Sequence, residues 1–198
     1  MWLAAMLAFG GAMAQADGIT GDVRGKLLAS GNGVMILSAS GEVEWQHSTG
    51  LTHDAWLPAN GNVMYADGGS VTEVTREHKV VFQYKAAEKH GGGTYACQRM
   101  ANGNTVIGEN STGKVLDVDP TGKVVFELQT SPASIGQHHN MRMARKLKNG
   151  NYLVCHLLEI TKEKHLVWRL CNPKVGSNMM AVQKLGADGQ PLPGDCLR

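Results

Sequence analysis

The sequence predicts an all-β chain, a β-propeller of about four four-stranded blades that is small or incomplete. Three observations carry the prediction: a recurring Asn-Gly-Asn tripeptide, a recurring apolar-x-aromatic triplet, and turn signals at intervals of ~8–12 residues. The tripeptide stands at Asn60-Gly61-Asn62, Asn102-Gly103-Asn104 and Asn149-Gly150-Asn151, with spacings of 42 and 47, and a fainter copy is Asp188-Gly189-Gln190. The triplets are Val43-Glu44-Trp45, Val80-Val81-Phe82, Val124-Val125-Phe126 and Leu166-Val167-Trp168, spaced by 37, 44 and 42. Trp2 and Phe9 lie near the start; of the other five Trp and Phe residues, four occupy this column and Trp56 is the exception.

In chain order, residues 1–16 (MWLAAMLAFGGAMAQA) are apolar and small, as in the core of a secretory signal. Ala12-Met13-Ala14 and Ala14-Gln15-Ala16 offer small-x-small cleavage patterns, although no Lys or Arg precedes the apolar run, and a buried first strand is the competing reading. Residues 17–198 are then the repeat domain, expected in the periplasm or outside the cell. Its first unit, around Leu27 to Trp45, is abbreviated. Each later unit runs from a short strand into Asn-Gly, which takes the positive φ of a tight turn. An apolar strand follows (Val63–Ala66, Thr105–Gly108, Tyr152–Cys155), and its lack of alternation predicts cover on both faces. A further strand such as Lys114–Val118, a turn such as Pro120-Thr121-Gly122 and the aromatic strand complete the unit. No segment carries a sustained 3.6-residue period, so helix is expected to be scarce.

Composition agrees. With 25 Gly, 6 Pro and 18% charged residues, the chain suits short strands and tight turns rather than disorder. A formal charge of +2 gives no clustered basic face, and nucleic acid is not an expected partner. Beyond the start, no stretch approaches the ~20 apolar residues of a spanning helix. Four cysteines (Cys97, Cys155, Cys171, Cys196) contain no CxxC pair. Cys97 and Cys155 read as small core residues, and a Cys171–Cys196 bridge is compatible with export.

At the Asn-Gly-Asn units the chain resembles the quinoprotein-type propeller repeats (PQQ-like repeats), and most of all their arylsulfotransferase-like branch. The residues concerned are His53-Asp54-Ala55-Trp56-Leu57-Pro58-Ala59-Asn60-Gly61-Asn62, the unit from Val115 to Phe126, and His138-His139-Asn140-Met141-Arg142. The resemblance covers about residues 26–170. It implies a propeller and, by analogy with the sulfotransferases, histidines and an arginine at the channel mouth that handle an aryl sulfate. No acidic and aromatic cluster suited to a quinone and its metal is identifiable, so no cofactor is expected.

Aligning the tripeptides places candidate residues in columns on the innermost strand. Seven positions before the first Asn stand His53, Tyr95 and Arg142; four before stand Trp56, Gln98 and Arg145; five before stand the small Ala55, Cys97 and Ala144. An imidazole, a phenol and a guanidinium at one end of a channel suit an anion. The guanidinium is a fixed fork for sulfate, phosphate or carboxylate, and the imidazole can carry a proton. Gln98 and Arg145 are expected nearby as further ligand contacts. For catalysis the candidates are His53, His139 and Arg142, since a histidine nucleophile needs a neutral ring and an orienting partner. The His138-His139 pair has no third ligand at metal spacing, so no metal is expected. His47, His78, His90 and His165 read as solvated turn or surface residues, and Glu109, Asn110 and Asp119 as turn residues.

Three classes of function follow. One is an exported binding or interaction module holding a small anionic molecule or a protein partner at the channel mouth. Another is an arylsulfotransferase-like transferase or lyase-type enzyme, and the third a structural component that self-associates through exposed blade edges. An enzyme would show a concave pocket where these side chains converge with displaced pKa values, an assembly component a broad apolar face.

Overall fold

The computed structural model describes residues 25–86, 93–130, 141–154 and 158–169. The leader-like segment, His138, His139, Cys155, Cys171 and Cys196 lie outside these described residues. Among the described residues, fourteen strands form four antiparallel sheets. The first pairs β1 (Leu27–Leu37) with β2 (Val43–Leu51). The second contains β3 (Asp54–Trp56), β4 (Val63–Ala66), β5 (Ser70–Val74) and β6 (Val80–Lys85). The third contains β7 (Thr94–Arg99), β8 (Thr105–Glu109), β9 (Lys114–Val118) and β10 (Val124–Gln129). The fourth contains β11 (Ala144–Lys146), β12 (Tyr152–Val154), β13 (Leu158–Ile160) and β14 (Leu166–Arg169). Each four-stranded sheet is a meander in chain order, the design of a propeller blade. No helix occurs among the described residues, and none is therefore long and apolar enough to cross a membrane. The abbreviated first unit is a two-stranded hairpin among the described residues, so three blades rather than four show all their strands.

The Asn-Gly-Asn turns join the first and second strands of their blades. Gly61, Gly103 and Gly150 adopt φ of 80°, 87° and 86°, a region that glycine enters without a Cβ penalty. In each turn the first Asn side chain accepts the amide of the second Asn, at 3.0–3.1 Å. The motif also has a longer reach. Asn60 and Asn62 both donate to Oε1 of Glu73 (2.8 and 2.7 Å), and Asn149 and Asn151 both donate to Oε1 of Glu159 (3.4 and 2.7 Å). Each turn thereby clamps a buried carboxylate on the third strand of its own blade. The middle blade has the shorter Asp117 at this place, which is instead met by Lys146 (2.6 Å) and Tyr152 (3.0 Å) of the following blade.

The aromatic column is a single structural position. Trp45, Phe82, Phe126 and Trp168 all lie on the outermost strand of their sheet, paired with Ile36, Glu73, Asp117 and Glu159. A bulge immediately precedes the aromatic in all four, leaving Glu44, Val81, Val125 or Val167 as the extra residue. The triplet is therefore a bulge signature: an unpaired residue beside an inward-turned ring.

The core consists of layers between blades. On β8, Val106 packs toward the fourth sheet, with Ala144 and Val154, while its neighbour Ile107 packs toward the second, with Met64 and Phe82. Successive strand residues face opposite ways, so a strand sandwiched between blades must be apolar throughout. This explains the uninterrupted burial of β4, β8 and β12. Ala55, Cys97 and Ala144 are likewise buried, the small column where the inner strands crowd together.

Candidate functional site

The inner strands bring three of the sequence-predicted residues together. His53 directly precedes β3, Tyr95 is the second residue of β7, and Arg142 lies just before β11. His53 is held by its amide on Ala66 O (2.8 Å), and the segment before Arg142 by the amide of Met141 on Oδ1 of Asn110 (2.8 Å). The rings of His53 and Tyr95 are 3.9 Å apart between centroids, tilted by 33°. The guanidinium carbon of Arg142 lies 4.9 Å from the centre of the Tyr95 ring. Tyr95, in the middle, is 2% exposed, and His53 and Arg142 are half-buried. Gly68 packs beside His53: a Cβ there would meet Nε2 at an ordinary contact of 3.6 Å, so it is the φ of 80° rather than space that favours glycine.

Arg142 differs electrostatically from the other inner cations. Arg99 pairs with Glu73, Arg145 with Asp54 (3.0 Å) and Lys146 with Asp117 (2.6 Å). Among the described residues no carboxylate pairs with Arg142, and its buried Nε has no hydrogen-bond partner. A half-buried guanidinium lacking an acid partner is a standing attraction for an anion, because desolvation is otherwise uncompensated.

Gln98 and Arg145 are engaged elsewhere. Gln98 accepts the amide of Lys146 through Oε1 (2.7 Å) and donates to its carbonyl (3.4 Å), acting as an extra peptide rung between the third and fourth blades. Arg145 donates to Asp54 and to its own neighbour Ala144 O (2.9 Å), with its guanidinium carbon 5.2 Å from the centre of the Trp56 ring. His139 lies outside the described residues.

Other expectations change. Glu109 and Asn110 are buried: Glu109 accepts the hydroxyls of Tyr84 (2.7 Å) and Thr112 (2.8 Å), and Asn110 holds Met141 of the next blade. Asp119, as expected, is a turn residue: half-buried, it accepts the amides of Thr121 (2.9 Å) and Lys123 (3.0 Å). His47 and His78 are not simply solvated. Their Nδ1 atoms are 3.0 Å apart and their ring centroids 5.3 Å, with planes 17° apart. Those values place the two nitrogens on the line between the rings, the geometry of a shared N–H···N bond. Both rings also stack on Trp45.

A cavity of about 610 Å³ lies between the second and third blades at their Asn-Gly ends, and Glu73, Phe82, Arg99 and Met100 are among its lining residues. None of His53, Tyr95 or Arg142 lines it. Sequence reasoning missed its polar floor, although a signal existed. Glu73, Asp117 and Glu159 each stand nine residues before the blade aromatic, and Arg99 and Lys146 three before an Asn-Gly-Asn.

No protein-family model matches the chain, and no curated protein matches it. Solved structures do. A protein of unknown function from Bacteroides caccae matches with a TM-score of 0.62 at 18% identity, over 73% of this chain and 57% of that one. A streptogramin B lyase matches with a TM-score of 0.58 at 12% identity, over 74% and 51%. The extracellular domain of a hybrid two component system from B. thetaiotaomicron matches with a TM-score of 0.56 at 15% identity, over 81% and 22%. The chain thus spans about half the length, or less, of these structures. At such identities the likeness concerns the fold alone. Meander sheets with equivalent aromatic bulges and these propeller neighbours define the class: the chain is a β-propeller, without assignment to the quinoprotein or arylsulfotransferase type.

Proposed function

We propose that the protein is an exported propeller module that binds an anion, as a small molecule or as the acidic group of a protein partner, at the end of the inner strands formed by His53, Tyr95 and Arg142. The observation that carries this reading is Arg142, a half-buried cation with a buried Nε that has no hydrogen-bond partner among the described residues. Tyr95 shapes the site by supporting the guanidinium plane, and His53 adds a ring nitrogen that can donate or carry a proton. Gln98 and Arg145 act as supports rather than contacts, given their interblade bonds. The extracellular origin of one structural neighbour is in keeping with export.

Calorimetric titration with sulfate, phosphate and small carboxylates tests the reading. Arg142→Ala should weaken binding by about 1.5–3 kcal/mol, the range for hydrogen bonds to charged groups. Equal affinity of wild type and Arg142→Ala for every anion would remove this reading. If the site is instead catalytic, of transferase or lyase type, His53→Ala should abolish turnover while leaving much of the anion affinity.

Self-association draws on a different observation. Val80, Val81, Val124, Val125, Leu166 and Val167 are 39–58% exposed along the outermost strands. Light scattering across a concentration series distinguishes an assembly component, whose mass rises with concentration, from a monomeric module.

A further inference from the structure

Two neighbouring interblade gaps are built from equivalent parts but filled differently. Phe82 and Phe126 hold the same place on their outermost strands, opposite the acids Glu73 and Asp117. Arg99 and Lys146 hold the same place on the next inner strand, and each pairs with that acid. Thr105 and Tyr152 also correspond, as the first residues of β8 and β12. In the gap between the third and fourth blades, Tyr152 lies flat against Phe126, with ring centroids 5.1 Å apart and planes within 5°. Its hydroxyl donates to Oδ2 of Asp117 (3.0 Å) and lies 3.0 Å from Nζ of Lys146, which also stands 4.9 Å from the ring centre.

In the gap between the second and third blades the corresponding residue is the buried Thr105, no ring lies against Phe82 from that position, and a cavity of about 610 Å³ is lined by Phe82 and the Asn-Gly turns. A volume of roughly 300–1,000 Å³ is typical of sites for small molecules. Its lining combines Trp56, Phe82 and Met100 with the ion pair of Glu73 and Arg99. The Glu73 side chain is only 5% exposed, and it accepts three hydrogen bonds, from Asn60, Asn62 and Arg99. A carboxylate has about four acceptor positions, so one remains for a further donor. The guanidinium carbon of Arg99 stands 4.7 Å from the centre of the Phe82 ring and is a plane on which an aromatic ring can stack.

We propose that this cavity binds a small aromatic compound carrying a phenolic hydroxyl, whose ring packs on Arg99 among Trp56, Phe82 and Met100 and whose hydroxyl donates to Glu73. The ligand supplies from solution the group that Tyr152 supplies from the chain one gap further on. The site is separate from the anion site and does not depend on it.

The test is calorimetric or NMR titration of the whole protein with p-cresol, toluene and 4-methylcyclohexanol. p-Cresol should bind roughly tenfold more tightly than either analogue, since toluene lacks the donor and the saturated alcohol lacks the aromatic face and the acidic phenolic hydroxyl. Thr105→Tyr should place a chain-borne ring in the gap and abolish binding, with sulfate affinity unchanged. If that variant does not fold, Met100→Trp fills the cavity from its rim and should have the same effect. Equal binding of the saturated alcohol, no binding of p-cresol, or unchanged p-cresol binding in a folded filled variant would overturn the proposal.

Discussion

Arg145 of the fourth blade reaches Asp54 of the second at 3.0 Å, past the inner strand of the third. Both side chains are more than nine-tenths buried, and Asp54 also accepts the amide of Cys97 on that intervening strand at 3.0 Å. One carboxylate therefore joins the inner strands of three blades. Breaking a buried ion pair from one side leaves the other charge uncompensated, at a cost of about 3–5 kcal/mol. Asp54→Asn and Arg145→Met should each lower stability by that order in urea denaturation. The double variant should lose clearly less than the sum, because neither charge is then stranded.

Glu73 makes stability depend on acid. Burial alone would raise its pKa, but the Asn60 and Asn62 amides and the Arg99 guanidinium outweigh burial and hold it below the ordinary 4.5. A depressed carboxyl contributes stability above the unfolded value and loses it as pH falls through the folded one. Denaturation midpoints should fall steeply below about pH 4.5, the unfolded value. Glu73→Gln should be less stable at pH 7 and show a shallower acid slope. A slope unchanged by the substitution would contradict the assignment.

The pair of His47 and His78 predicts a second dependence, nearer neutrality. Burial, and then the charge of His78, lower the pKa of His47 from 6.5. For a base with a depressed folded pKa, the unfolded chain binds more protons, so stability is full above pH 6.5 and declines as pH falls through the folded value. The contact joins β2 to the turn after β5, where His78 adopts φ of 65°. His78→Gly suits that backbone but deletes the bond, and should flatten the decline in stability between pH 7 and 5. Denaturation at both pH values checks it.

Core position should separate two adjacent classes of aliphatic residue. Ile107 is fully buried between the second and third blades, and truncation to alanine should cost about 2–5 kcal/mol. Val81, the exposed bulge residue, should tolerate Val81→Thr within about 0.5 kcal/mol. Thermal melts of both variants provide the comparison.

The repeat was legible because its determinants are contiguous. Asn-Gly sets a turn through one positive φ, and an apolar-x-aromatic triplet sets a bulge within three residues, so both recur in the text as they recur in space. The grouping of His53, Tyr95 and Arg142 was also legible, as one column counted back from those turns. The partners of the charged residues were not. Arg142 and Arg145 look alike in the sequence, yet Asp54 neutralises the second among the described residues and not the first. Thr105 and Tyr152 occupy one repeat position, but only packing between blades shows that the tyrosine stacks on Phe126 whereas Phe82 lines a cavity. Sequence by itself determined the turns and blades, because backbone conformation follows from neighbours along the chain. Tertiary structure decided which charges are paired and which gaps are open, because those depend on side chains brought together across blades from distant parts of the chain.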